Sequence, residues 1–152
     1  MTVRDAELRA VVRRDVVDVW GEGDVDVLDE IVAPDIVIHE PSAQDDVEGR
    51  DSYRELVETY RTAFPDYDTT VETVTTDEDT AMVRYTARGT NDGEFMGMAP
   101  TGRSVVATGM EQFRVADGVI AEKWSLFDTL GLLQQLDVVP GIEELVRRAA
   151  DS

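Results

Sequence analysis

The chain contains no cysteine and only one histidine, and Lys123 is its single lysine. Without cysteine it has no disulfide bond, no thiolate nucleophile and no zinc–cysteine site. A single histidine also leaves no cluster with the spacing of metal ligands. With 14 Lys and Arg residues against 33 Asp and Glu residues, no basic stripe is available to release counter-ions from phosphates. No nucleic-acid partner is therefore expected, and binding to an anionic membrane surface is disfavoured.

Long apolar runs are also missing from the chain. No stretch reaches the roughly 18 apolar residues that a membrane span needs, so no membrane association is expected. The N-terminal segment MTVRDAELRA lacks the apolar core of a signal peptide. We therefore expect a cytoplasmic protein.

The net charge of −19 comes from acidic residues spread along the whole chain, and 42% of the residues are hydrophobic. This combination is typical of a folded domain with an acidic surface, here one domain over residues 1–152. Self-repulsion of this size destabilises a compact state unless counter-ions screen it, a balance that halophilic proteins use. A cytoplasm rich in salt is therefore expected.

The apolar pattern predicts an α+β fold. Residues at helical spacing predict helices over 3–20, 24–32, 52–64, 130–136 and from 142 onward. Alternating and β-branched stretches predict strands over 35–40, 67–76, 80–90, 103–115 and 119–127. Helices followed by four long antiparallel strands indicate a sheet with helices on one face. Such an arrangement leaves a cavity suited to a small ligand.

The last hairpin carries the clearest chemical signal. Asp117-Gly118 predicts its turn, and Ile120, Trp124 and Asp128 share one face of its second strand because side chains alternate. If that face lines the cavity, Asp128 could act as an acid or base on a carbon-bound proton. In the second interpretation, Asp128 caps the helix that follows it. The residues alone leave both interpretations open.

A set of short motifs resembles the SnoaL-like polyketide cyclase family of the NTF2-like superfamily, over roughly residues 5–136. The motifs are Phe64-Pro65-Asp66, Gly89-Thr90, Gly93-x-Phe95-x-Gly97, Pro100-Thr101-Gly102, Asp117-Gly118, Glu122, Trp124 and Asp128. The resemblance implies an NTF2-like cone, in which N-terminal helices close an apolar cavity over a curved antiparallel sheet. It also implies a homo-oligomer, a dimer or tetramer formed through the sheet.

The resemblance further implies ring closure of a polyketide by intramolecular aldol condensation, without metal or cofactor. In that family an aspartate placed like Asp128 takes the acid/base role. A histidine on the preceding strand usually assists it, but this strand reads Met110-Glu111-Gln112-Phe113 and has none.

His39 and Glu40 are further catalytic or binding candidates at the end of the first strand. His39 could shuttle a proton or donate to a substrate carbonyl. Glu40-Pro41 resembles the setting of the general base of ketosteroid isomerase, an enzyme whose tuned carboxylates are well known. Neighbouring strand residues point to opposite faces, and we expect His39 rather than Glu40 to face the cavity.

The expected substrate-binding residues are mostly aromatic or methionine, which suit an apolar ligand and an ordinary core equally well. They are Glu40, Tyr53, Phe64, Phe95, Met98, Met110, Gln112 and Trp124. Together these features predict a cofactor-independent cyclase, isomerase or hydratase acting on a small hydrophobic carbonyl substrate. Asp128 would be its acid/base, and His39 or Gln112 would hold the enolate oxygen. The alternative is a non-catalytic ligand-binding or dimerisation module.

Overall fold

The computed structural model describes residues 1–152 and consists of five α-helices and a curved, unclosed sheet of six strands. The helices are α1 (Val3–Arg13), α2 (Leu28–Ile31), α3 (Arg50–Ala63), α4 (Thr129–Gln135) and α5 (Ile142–Ala150). The strands are β1 (Val32–His39), β2 (Val47–Glu48), β3 (Asp68–Asp77), β4 (Thr80–Thr90), β5 (Ser104–Ala116) and β6 (Val119–Phe127). The predicted α+β class is confirmed. No helix is both long enough and apolar enough to cross a membrane.

The helix predicted over residues 3–20 exists, but its two halves differ. The Thr2 hydroxyl accepts a hydrogen bond from the Asp5 amide, and the Asp5 carboxylate accepts one from the Thr2 amide, which closes a capping box at the start of α1. After Arg13 the helix continues as a π-helical segment, Arg14–Gly21. Segments with this wider turn are rare and often occur at functional sites.

Helix α3 presents Tyr53 and Val57 to the core, and both are fully buried. It begins at Arg50, directly after Gly49, whose φ of 92° is accessible to glycine. Ser52 and Glu55 have the spacing of a capping box but do not form one, because the helix already includes Ser52.

The sheet order is β2-β1-β6-β5-β4-β3. Strands β3 to β6 form the predicted antiparallel meander. Strand β1 joins its edge by pairing in parallel with β6. Asp117 and Gly118 both have positive φ, 53° and 80°, as the predicted two-residue hairpin turn between β5 and β6 requires.

A β-bulge interrupts the alternation of β6. Val115 pairs with Ile120, whereas the preceding residue, Arg114, pairs with Glu122, so Ala121 is an extra residue. One inserted residue reverses which side chains face inward. Ile120 and Lys123 are therefore both buried on the inner face. The prediction that Ile120 and Trp124 share a face is wrong for this reason.

The core lies between the helices and the inner face of the sheet. Helical residues Val12, Val16, Leu28 and Val57 pack in one cluster with the strand residues Ile36, Ile38, Val83, Phe113 and Ile120. Toward the end of this core near α4, the packing gives way to a cavity.

Candidate functional site

A cavity of about 80 Å³ lies between the π-helical segment, α3 and the inner face of the sheet. This volume has room for on the order of five water molecules. Trp20, Phe127 and all four tyrosines of the chain line it. Its acidic and basic side chains are those of Glu40, Glu111 and Lys123. The cavity is therefore mainly aromatic, with a few polar groups, as is usual for a small-molecule site.

Lys123 lies at the centre of a buried charge network. Its side chain is 1% exposed, and those of Asp15 and Glu111 are 0% and 6% exposed. The Nζ atom lies 2.9 Å from Asp15 Oδ2, 3.0 Å from Glu111 Oε2 and 2.8 Å from the Tyr53 hydroxyl. These three partners match the three protons of an ammonium group. No proton of Lys123 is left free for a ligand.

The Asp15 carboxylate is paired through both of its oxygens. Besides the bond from Lys123, it accepts a hydrogen bond of 2.6 Å from the Tyr53 hydroxyl. The Trp20 indole in turn donates to the Tyr53 oxygen at 2.8 Å. Asp15 is therefore the satisfied counter-ion behind the cavity wall, whereas Glu111 faces the cavity itself.

Burial raises the pKa of Glu111, and the Lys123 ammonium opposes this effect only in part. Burial by itself would lower the pKa of Lys123, but Asp15 and Glu111 outweigh it and hold that pKa well above its usual value. Lys123 therefore stays charged, and Glu111 is the carboxyl group of the network that both lines the cavity and has a raised pKa. No group of three or more His, Asp or Glu side chains is placed to hold a metal ion.

Two of the predicted site residues, Glu40 and Tyr53, line the cavity. Three others lie in the surrounding core without lining it. Phe64 and Phe95 are buried with ring centroids 5.8 Å apart, and Met98 is half-buried against the same cluster. These three support the aromatic wall from behind, since Phe95 also contacts Tyr60 at 5.4 Å between ring centroids.

His39 lies on the opposite face of the sheet from the cavity. Its ring stacks on Trp124 with centroids 5.4 Å apart. Its Nε2 lies 2.7 Å from Glu122 and its Nδ1 3.1 Å from Asp46. The expectation that His39 rather than Glu40 faces the cavity is therefore wrong, because strand alternation carries Ile38 and Glu40 inward.

Three predicted ligand contacts share this outer face. Gln112 pairs across the strands with Trp124, and Met110 with Leu126. Trp124 and Met110 are exposed, and none of Met110, Gln112 and Trp124 lines the cavity. The prediction that these three residues contact a ligand in the cavity is therefore wrong. The bulge in β6 turns Trp124 outward, and Glu111 occupies the inward position beside Gln112.

Asp128 follows β6 at the start of α4, and its side chain is turned back onto the helix. Its Oδ1 accepts a hydrogen bond of 2.9 Å from the Gly131 amide, which is the geometry of an N-cap. A Cβ atom on residue 131 would lie 2.1 Å from the Asp128 carboxylate, so glycine makes this cap possible. Asp128 is exposed, and its neighbours Phe127 and Thr129 line the cavity in its place.

The buried network of Asp15, Glu111 and Lys123 was not predicted from the sequence, although a sequence feature marks each of the three residues as unusual. Lys123 is the only lysine in the chain. Asp15 occupies a position within the apolar stripe of its helix, between Val12 and Val19. Glu111 alternates with the buried Phe113. A charged residue at a core position is rare unless it is paired.

The family model described as SnoaL-like polyketide cyclase matches residues 10–136. No curated protein sequence matches the chain. Among solved structures, a candidate SnoaL-like polyketide cyclase from Jannaschia sp. CCS1 has a TM-score of 0.83 at 27% identity, covering 92% of this chain and 98% of its own.

Two Streptomyces structures are more similar in sequence. AclR from Streptomyces galilaeus, a candidate hydroxylase, is 31% identical with a TM-score of 0.78, covering 96% of this chain and 90% of its own. IdmH from Streptomyces antibioticus, a candidate polyketide cyclase, is 33% identical with a TM-score of 0.74, covering 85% and 97%. Because the family model matches most of its length, the chain belongs to the SnoaL-like polyketide cyclase family.

Proposed function

We propose that the protein is a cofactor-independent enzyme of the cyclase or isomerase type that acts by acid/base chemistry on a small hydrophobic carbonyl compound. The observation that carries this proposal is the Glu111 carboxyl group, buried in an aromatic cavity and held by Lys123. The two Streptomyces relatives bear different reaction names, cyclase and hydroxylase. The proposal therefore rests on the residues of this cavity.

In the proposed step, the Glu111 carboxylate removes a proton from the carbon next to a substrate carbonyl. The C–H bond breaks, its electron pair forms an enolate, and the proton is held on Glu111 until it returns to carbon or oxygen. The raised pKa of Glu111 suits this role, because a base works best when its pKa is near the working pH. Lys123 positions the carboxylate without itself changing charge.

One observation favours the alternative, a non-catalytic ligand-binding module. Asp128, the residue that resembles the family's acid/base, is engaged as a helix cap. On this alternative the cavity binds its ligand unchanged, and the exposed outer face with Trp124 and Met110 serves dimerisation.

The experiment follows deuterium uptake from D₂O into 2-tetralone, a hydrophobic ketone with acidic α-protons, by NMR. The wild-type protein should accelerate exchange, and Glu111→Gln should reduce the acceleration by about 100-fold or more. Glu122→Gln is the matched control, because Glu122 lies on the same hairpin but faces outward toward His39. Its exchange rate should stay at the wild-type value.

Thermal melting checks that Glu111→Gln is folded. Full exchange activity in this variant would refute the role of Glu111. Binding of 2-tetralone by the wild-type protein without any acceleration of exchange would instead support the ligand-binding module.

A further inference from the structure

The four tyrosines that line the cavity differ in whether their hydroxyls have a hydrogen-bond partner. Tyr53 is paired with Asp15, Lys123 and Trp20, as described above. The other three tyrosines that line the cavity are Tyr60, Tyr67 and Tyr85, and their hydroxyls form no hydrogen bond with any protein group. None of these three oxygens is completely inaccessible. Tyr67 and Tyr85 are 9% and 7% exposed. Polar groups buried to this extent normally have a partner.

Of these three tyrosines, Tyr67 and Tyr85 are the most buried. Neighbouring groups fix the positions of both rings. Tyr85 lies across Gly109, its partner on β5, and a Cβ atom on that glycine would meet the Tyr85 oxygen at 2.5 Å. The Tyr85 ring is also nearly parallel to Phe127, at an angle of 9° with centroids 6.5 Å apart. Tyr67 packs against Trp20 with ring centroids 5.9 Å apart. The hydroxyls are thus held by packing rather than by hydrogen bonds.

Both phenols remain proton donors at neutral pH. Burial raises the pKa of Tyr67 and that of Tyr85, and the Glu111 carboxylate raises both further. Tyr67, Tyr85 and the acid/base candidate Glu111 all line the same cavity.

The charges of the cavity restrict the ligand that these donors would take. Glu40 and Glu111 are its two carboxylic residues, and Lys123, its one cation, has all its protons on protein groups. An anionic ligand would find no free positive charge, whereas a neutral oxygen acceptor would satisfy an unpaired donor.

We propose that Tyr67 and Tyr85 form a binding site for the oxygen of a neutral ketone. The catalytic role of this site rests on the proposed function. In that function, the same two hydroxyls would stabilise the enolate oxygen once Glu111 has taken the proton. Binding to the site does not require turnover, so it is tested separately.

The test compares acetophenone with α-methylstyrene, in which a CH₂ group replaces the carbonyl oxygen at nearly unchanged shape. Dissociation constants are measured by ligand NMR titration. The wild-type protein should bind acetophenone more tightly than α-methylstyrene, by roughly 2- to 10-fold for each hydrogen bond that the carbonyl oxygen accepts. Tyr67→Phe and Tyr85→Phe should each reduce this preference, and the double variant should abolish it.

Phe127→Leu is the control, because it alters the wall beside Tyr85 without removing a donor, so it should weaken both ligands alike. The Tyr→Phe variants should melt at the wild-type temperature or above it, since each loses an unpaired buried hydroxyl. A wild-type protein that does not prefer the ketone, or a preference that survives in the double variant, would overturn the inference. A preference lost as expected, together with no exchange of 2-tetralone, would leave the oxygen site standing and remove only the proposed catalysis.

Discussion

Replacing Lys123 by methionine tests the buried charge network most directly. The substitution keeps the apolar stem but removes the only cation that contacts Asp15 and Glu111, at 2.9 and 3.0 Å. Removing one partner of a buried ion pair costs about 3–5 kcal/mol, because the other charge is left without compensation. Two carboxylates lose their partner here, so we expect a loss in the upper part of this range. For a domain of this size that corresponds to a melting temperature lower by roughly 10–20 °C.

The free energy of unfolding is measured by urea titration with circular dichroism, at neutral and at acidic pH. In Lys123→Met, Glu111 loses the ammonium group that opposes the effect of burial, so its folded-state pKa should lie above its unfolded value. Glu111 then contributes stability only below its unfolded pKa, and this contribution is lost as the pH rises through its folded pKa. The deficit against wild type should therefore shrink at acidic pH.

The double variant with Glu111→Gln is the matched control, because it leaves one buried carboxylate in place of two. It should recover part of the stability that Lys123→Met loses at neutral pH. A loss below about 1 kcal/mol, within the range of an exposed ion pair, would refute the description of this network as buried and tightly coupled.

The remaining predictions concern the outer face, the helix cap and the surface charge. Hydrogen bonding to Glu122 raises the pKa of His39 above 6.5, so His39 should stabilise the fold below its unfolded pKa and lose this effect as the pH rises through its folded pKa. His39→Gln should remove that pH dependence from urea midpoints measured between about pH 6 and pH 8; an unchanged dependence would contradict the pairing. Asp128→Ala should cost about 1 kcal/mol through loss of the cap while ketone exchange stays within about twofold of wild type. If Asp128→Asn removes exchange without lowering the melting temperature, the catalytic role of Asp128 is restored. Because the net charge is −19, the melting temperature should rise from low to molar salt, and a flat or falling trend would count against a salt-adapted protein.

The order and type of the main elements could be read from local patterns. Apolar spacing located the helices, and alternation located β4 and β6 at the bounds that the structure shows, Thr80–Thr90 and Val119–Phe127. These patterns are legible because each depends on a helix or strand presenting one face to the core. The motif set that carried the family resemblance is likewise local, and the family model confirms it over residues 10–136.

The cavity was harder to predict from the sequence, because its residues come from elements far apart in the chain. Asp15, Tyr53, Glu111 and Lys123 meet only when the first helix, α3 and the last hairpin pack together. No local pattern predicts that a lysine and two carboxylates will compensate one another, although each is unusual at a buried position.

The sequence by itself determined the fold class and the hairpin that ends at Asp128. Only the tertiary structure decided which side of that hairpin faces the cavity. Strict alternation from Ile120 carries Trp124 inward, but the extra residue Ala121 shifts the register with β5. A shift of one residue exchanges the two faces of a strand. Lys123, Ser125 and Phe127 therefore line the cavity, and Trp124 lies outside it, stacked on His39.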